Sequence, residues 1–405
     1  MPDIASKIYL VKLKPLHSYF FGGERTFGFN QKQNYLVQSR KWPQQTTLLG
    51  ALRYLILREH GLLAPKGKPV PEEAESLIGP HSFQFDSSNA RQNYGMIHAL
   101  SSVFLMEGAR RFVPAPLNWN HSLLPEPQAH VWFGGDGSWT PAHLMKRNAQ
   151  SPNTEKSPFD PKKGLSHGLM EIQTGAYLPE SDIFTETAQV GIEKGKKGQP
   201  RTEAFYKQKS YTFSRGSHND YNPYQPATWQ NWSFACFVRV APDLSLPAST
   251  YLPMGGERRH FLCECVPQKS EDCFLPLATH HESSGEEPHP YQLALPDLVS
   301  QQDPQTRLLL LSDAGVPAHI FEACKMTVTD TTDFRFLQTS VDRTTRYANI
   351  STDPDTQDLQ KSDKYSLLQK GSVLYPKDLS TVLKALQHPG LQQIGYNTFT
   401  IINPA

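Results

Sequence analysis

The run Thr46-Thr47-Leu48-Leu49-Gly50-Ala51-Leu52-Arg53 decides how this chain begins to fold. Carried on to Gly61, it puts Leu48, Leu49, Leu52, Leu55 and Ile56 on one apolar stripe, which predicts a helix from about Thr47 to His60. Thr46 or Thr47 is expected to cap its start, Arg58 and His60 suit the negative end of its dipole, and Gly61 can end it. Gly50 lowers helix propensity, so a close approach to the backbone is expected there, from either a packed strand or a ligand. Upstream, Lys7-Ile8-Tyr9-Leu10-Val11-Lys12-Leu13 alternates as a half-buried strand does. Far downstream stand two glycine turns, Leu252-Pro253-Met254-Gly255-Gly256-Glu257-Arg258-Arg259 and Lys370-Gly371-Ser372-Val373-Leu374-Tyr375.

Composition narrows the class. A chain of 405 residues is long for a single core, so two or three domains are expected. Lys+Arg 40 against Asp+Glu 39 excludes bulk coating of a polyanion, and any nucleic-acid surface has to come from local charge segregation. Aromatic content of 11% with 33 prolines fits a β-rich, loop-rich globular protein. The cysteines at 236, 263, 265, 273 and 324 form no C-x-x-C pair, and Cys263 and Cys265 share one face of a strand. Buried free thiols are expected, with no metal site. The N-terminus has no apolar core segment, and Leu308 to Leu311 is far too short to span a bilayer, so a soluble cytoplasmic protein is expected.

Along the chain, Pro114 to about Ser166 is rich in Pro, Gly, Asn and Trp and reads as a surface excursion. Residues 182–213 read as two long strands with a basic tip, Trp232 to Val240 as an apolar strand, and Pro253 to Val266 as a hairpin turning on Gly255-Gly256. Residues 267–305 carry seven acids against Lys269 alone and suit an inter-domain connection. The remainder has strand-like segments at Arg307 to Leu311 and Thr398 to Ile402.

The basic tip carries the sharpest chemical signal. From Glu186 to Arg215, seven cations face three glutamates, a local +4 in a chain of +1, with Phe205, Tyr206, Tyr211 and Phe213 alongside. Phosphate-neutralising cations beside stackable rings suit a path for single-stranded RNA, and a solvated hairpin packed on its own aromatics uses the same residues. Alternation makes Tyr206, Lys207 and Lys209 the outward candidates and points Phe205 and Phe213 inward. The Gly255-Gly256 turn, followed by Glu257, Arg258 and Arg259, would let amides and guanidinium groups reach a phosphate, although a plain hairpin also favours Gly-Gly. Gly22-Gly23-Glu24-Arg25 echoes it.

The sequence has no P-loop and no H-E-x-x-H motif. His280-His281-Glu282 lies in the acidic stretch and reads as solvated. One metal-free acid/base set survives, formed by His17, Tyr19 and His60 near the first strand and helix.

Taken in order, Lys12 to Leu16, Phe20 to Phe27, Thr47 to Arg53, Gln189 to Ile192, Ala204 to Tyr206, Met254 to Arg258, Lys370 to Tyr375 and Gly395 to Phe399 resemble the blocks of Cmr three-type RAMP proteins, Cas-five group members of type III-B CRISPR effector complexes. The resemblance spans nearly the whole chain. It departs at Lys370, where the family tends to have a small residue, and at a C-terminal glycine loop reduced to Gly395-Tyr396-Asn397.

The resemblance implies an α+β fold of two ferredoxin-like (RRM-like) domains with an inserted β-hairpin and long loops. The expected bounds are 1–267, with an insertion at about 114–215, and 268–405. It further implies a non-catalytic subunit without cofactor or metal that grips the crRNA 5′ handle and bridges the large polymerase/cyclase-like subunit to the backbone RAMP filament. The candidate RNA contacts are Arg25, Gly50, Arg53, Lys194, Lys196, Lys197, Arg201, Tyr206, Lys207, Lys209, Gly255, Gly256, Arg258, Arg259, Gly371 and Ser372. A metal-independent endoribonuclease processing precursor crRNA, and a protein-only scaffold docking an acidic face, are the alternatives.

Overall fold

Strand β1 (Lys7–Pro15) runs antiparallel between β11 (Trp232–Val240) and β13 (Arg259–Gln268), well inside a nine-stranded sheet. The computed structural model describes residues 6–22, 36–63, 71–85, 90–119, 142–144, 164–194, 200–214, 232–256, 258–277, 305–338 and 360–403. Past β13 the sheet ends on β12 (Ser249–Met254). On the other side it continues through β4 (Phe104–Glu107), β5 (Arg110–Pro114), β7 (Gly168–Glu171) and β8 (Tyr177–Pro179), with β3 (Ile97–Leu100) also pairing β11.

Helix α1 (Gln45–Glu59) lies against this sheet, with Leu48, Leu52, Leu55 and Ile56 in one core with Tyr9, Val11 and Leu13. Its start differs from the sequence expectation. Gln44 is the N-cap residue and gives no side-chain cap, while the Gln45 amide donates to the carbonyls of Ser101 and Ile394 at 2.8 Å each. The first turn is therefore anchored by tertiary contacts and not by threonine. The C-terminus is as expected: Gly61 has φ 69°, its N–H donates to Arg58 O, and Leu62 N–H donates to Leu57 O, a Schellman ending.

The second sheet contains β14 (Arg307–Leu310), β15 (Cys324–Phe334), β18 (Tyr365–Leu368), β19 (Val373–Pro376) and β20 (Phe399–Ile402), in the order β18-β15-β19-β14-β20. A short β6 (Ala142–Leu144) also pairs with β15. Leu309, Leu311, Val373 and Tyr375 of this sheet pack on Leu10, Ala235 and Phe237 of the first. Leu308, Leu310 and Leu374 on its other face pack on Val382 and Leu386 of helix α4 (Leu379–Leu386). The layers thus run helix, sheet, sheet, helix, and β1 is buried on both faces from Ile8 to Val11, where the sequence alone predicted a half-buried strand.

A third sheet joins β2 (Leu36–Gln38), β10 (Pro200–Phe213) and β9 (Phe184–Lys194), with β2 parallel to β10 and β9 antiparallel. This is the expected long hairpin. Its tip, residues 195–199, lies outside the described residues. A small ladder links β16 (Leu337–Gln338) to β17 (Gln360–Lys361). Helices α2 (Glu73–Ile78), α3 (Glu180–Ile183) and α5 (Pro389–Gln392) are short. The chain is α+β and strand-rich, with several antiparallel sheets and few helices.

All five cysteines are free thiols, and Cys263 and Cys265 stand 3.8 Å apart, sulfur to sulfur, in the core of the first sheet. Burial pushes the Cys236 thiol up to about 12. Among the described residues no helix is long and apolar enough to cross a membrane.

Candidate nucleic-acid interface

Residues 19–22, which follow β1, tie three elements together. Tyr19 and Tyr211 exchange backbone hydrogen bonds of 2.8 and 3.0 Å, fastening the segment to β10. Arg40 N–H donates to Phe21 O at 2.8 Å and Phe21 N–H donates to Ser39 Oγ at 2.8 Å, fastening it to the chain after β2. Gly256 N–H donates to Phe20 O at 3.0 Å, fastening it to the β12–β13 turn. Beneath lie the rings of Tyr19, Phe21, Phe213, Phe234 and Phe261, with centroids 4.9 to 6.1 Å apart in the pairs that touch.

The glycine pair owes its identity to this packing. Gly255 has φ 82°, and a Cβ there would sit 2.3 Å from Phe20 O. Gly256 N–H already donates to Phe20, and Arg258 N–H donates to Gly255 O at 3.2 Å. These amides serve the fold, and the side chain the turn presents to solvent is the exposed Arg258, held at φ 47°. Arg259 is half-buried beside it.

On the hairpin, Lys207 is exposed and stands in register between Leu36 and Val190. Lys209 is half-buried and ion-pairs with Glu186 at 2.8 Å; that hydrogen bond raises its pKa. Phe213 packs on Phe184, Trp232 and Phe234, the inward position alternation assigned to it. Lys194, Arg201 and Tyr206 belong to β9 and β10 by backbone, and nothing is described of their side chains. Arg25, Lys196, Lys197 and Glu257 lie outside the described residues.

Other candidates stand elsewhere. Arg53 is buried on α1 and donates to the carbonyls of His81 and Gly79 at 2.7 and 3.3 Å; burial lowers its pKa to about 10. Gly50 is exposed, and a Cβ there would meet nothing within 4 Å, so no packed strand accounts for it. Gly371 has φ 85°, accepts from Leu117 N–H at 2.8 Å, and would bring a Cβ to 2.8 Å from Ala115 O. Ser372 is fully buried and donates to Gln369 O at 2.6 Å. As they stand in the fold, Arg53, Gly371 and Ser372 serve internal contacts.

Of the acid/base set, His17 and His60 are exposed. Tyr19 is fully buried, its hydroxyl donates to Lys41 O at 2.9 Å, and burial raises its pKa well above the usual value. That removes the phenol from solvent, where an acid/base role would need it.

Sequence reasoning missed a charged cluster behind this interface. Glu180 accepts from Lys41 Nζ at 2.8 Å and from Trp42 Nε1 at 2.9 Å, and Lys370 Nζ lies over the Trp42 ring. Burial pushes the Glu180 carboxyl up, but Lys41, Lys370 and these hydrogen bonds outweigh it and hold it below the usual value. Arg40 reaches the second sheet, donating to Thr332 Oγ1 at 3.1 Å and to Asp333 O. The one signal in the sequence was Lys370 itself, a long cation directly before a glycine turn.

A family model described as CRISPR-associated protein (Cas_Cmr3) matches residues 11–404. No curated protein matches the sequence. Solved structures similar to the chain include one titled "Cryo-EM structure of the Type III-B Cmr-beta bound to cognate target RNA", with 12% identity, a TM-score of 0.43 and 96% of each chain covered. Another, "Type III-B Cmr-beta Cryo-EM structure of the Apo state", has 8% identity and a TM-score of 0.25, covering 65% of this chain and 98% of that one.

Proposed function

The chain belongs to the Cas_Cmr3 family of CRISPR-associated proteins, and from that premise we propose that it is a non-catalytic, RNA-binding subunit of a type III-B effector complex that holds the 5′ handle of the crRNA. The observation that carries this is the convergence on residues 19–22 of the β12–β13 turn, which bears Arg258, and the β9–β10 hairpin, which bears Lys207. Residues 19–22, more than 150 residues from either hairpin in sequence, thereby tie the hairpin bearing Lys207 to the one bearing Arg258. Phosphate contacts by Lys and Arg would supply affinity, and unstacked handle bases would be recognised by stacking and hydrogen bonding. In this proposal each large sheet with its helices is a ferredoxin-like domain, about 1–267 and 268–405. The same cytoplasmic subunit contacts the large polymerase/cyclase-like subunit and the first backbone RAMP subunit. The endoribonuclease alternative is disfavoured by the burial of Tyr19.

Binding of the full chain to labelled crRNA across a salt series, against RNA with a scrambled handle, tests it. Tighter binding to the intact handle without cleavage is expected. Lys207→Ala should reduce the salt slope by about one. Equal binding to both RNAs would sink the handle reading, and handle-releasing cleavage in EDTA would restore the nuclease.

A further inference from the structure

Among the described residues β9 is the longest strand at a sheet edge, with eleven residues against six in β12 and three or four in β2, β8, β18 and β20. The direction of its peptide groups follows from β10. Tyr211 exchanges backbone hydrogen bonds with Tyr19, and Lys209 O accepts from Ser39 N–H at 2.9 Å, so both residues turn their peptide groups away from β9. Their opposite numbers, Glu186 and Ala188, therefore sit at non-hydrogen-bonded positions and aim their own N–H and C=O groups outward; alternation adds Val190. All three are exposed, Val190 at 59%, and among the described residues no strand pairs with this edge. Other edges are blunted: β12 carries Pro253 and has Arg58 on its Tyr251 carbonyl, and β8 stops at Pro179 after three residues. From Thr185 to Val190, β9 has no proline and no lysine, and its one charge, Glu186, is taken up by Lys209 at 2.8 Å.

We infer that this edge receives an extended strand from a neighbouring protein subunit of the effector complex, paired through the main chain of Glu186, Ala188 and Val190. A row of outward N–H and C=O groups at every second residue is the chemistry that selects a β-strand. RNA suits it poorly, because the only charge on the strip is an acid. A second copy of this chain would gain a seam of only about 17 Å of strand, far short of the roughly 1,200 Å² that a stable pair buries. A subunit already held in the same assembly needs no such area, since its strand arrives at a high local concentration. Small or apolar side chains on the incoming strand would lie beside Ala188 and Val190, on the face that carries Lys207. The inference rests on membership of the complex and not on the RNA-binding reading.

The test uses the full chain, free and assembled with the purified remaining subunits of the complex and crRNA. Residue-resolved hydrogen exchange should slow about tenfold or more at the Glu186, Ala188 and Val190 amides on assembly. Thr187 and Gln189, whose amides face β10, should change little. Ala188→Pro removes an outward N–H at an edge position and should weaken incorporation about tenfold or more, while crRNA binding by the free chain is unchanged. Ala188→Val keeps the N–H and should assemble like wild type. If the complex forms with these amides unprotected and Ala188→Pro joins it normally, the inference fails and membership of the complex stands. Protection by crRNA alone would give the edge to RNA, and protection that grows with the concentration of the free chain would give it to a second copy; either result overturns the inference. Failure of the wild-type chain to assemble would overturn both.

Discussion

Lys370 Nζ sits 3.3 Å from the centroid of the Trp42 ring, a cation–π contact that joins the β18–β19 loop to the segment before α1. Lys370 is half-buried, and desolvation of its amine, outweighing the attraction of Asp313 and Glu180, lowers its pKa to about 7 from 10.5.

Stability should therefore depend on pH through this residue. Between about pH 7 and 10.5 the unfolded chain binds the proton that the folded chain has shed, so stability rises with pH across that window. Below about pH 7 both states are charged and the cost of burying the ammonium is present in full. Lys370→Met should gain on wild type most below pH 7, by an amount on the order of 1–3 kcal/mol, and lose that advantage as pH approaches 10. Urea denaturation at several pH values measures it; parallel stability curves would refute the assignment.

Two glycines should respond in opposite directions. Gly255→Ala places a Cβ against Phe20 O at positive φ and should destabilise by roughly 1–3 kcal/mol. Gly50→Ala, in an open helical position, should stabilise by about 0.5–1 kcal/mol. If RNA approaches the helix backbone at Gly50, the same substitution will weaken crRNA binding while raising the melting temperature. Calorimetry and a binding titration on one preparation separate these effects.

Arg58 guards the edge of the first sheet. It occupies the carbonyl of Tyr251 on β12, and Pro253 contributes no N–H to that strand. Arg58→Ala should cost on the order of 1 kcal/mol and promote concentration-dependent association, visible by light scattering. A variant that stays monomeric at high concentration would show that the edge needs no such guard.

Asn397 carries a cluster of buried bonds. At φ 52° it accepts from Gly315 N–H at 2.8 Å and donates to the carbonyls of Gly315 and Leu386 at 2.9 and 3.0 Å. Asn397→Ala should lose roughly 2–4 kcal/mol, because the partners stay buried and alanine disfavours positive φ. An RNA-binding defect without loss of stability would instead return the Gly395–Asn397 loop to the interface.

The sequence by itself determined what short-range pattern controls. The apolar stripe and Gly61 defined the body and end of α1, and strand patterning with the Gly255-Gly256 turn marked hairpins at 182–213 and Pro253 to Val266, where the fold pairs β9 with β10 and β12 with β13. These features depend on neighbours within a few residues, where steric and hydrogen-bonding preferences act. Only the tertiary structure decided which faces are buried and which cations are free. Leu10 is covered because a sheet built mostly from residues beyond 300 packs on it, whereas Lys12, two residues on, escapes that cover. Arg53, Gly371 and Ser372 read as contacts for a ligand, yet distant carbonyls and packing occupy them. Lys370 lies over Trp42, more than 300 residues away, and Tyr251 stays in the open. Burial is set by what arrives from elsewhere in the chain, and no local pattern encodes it.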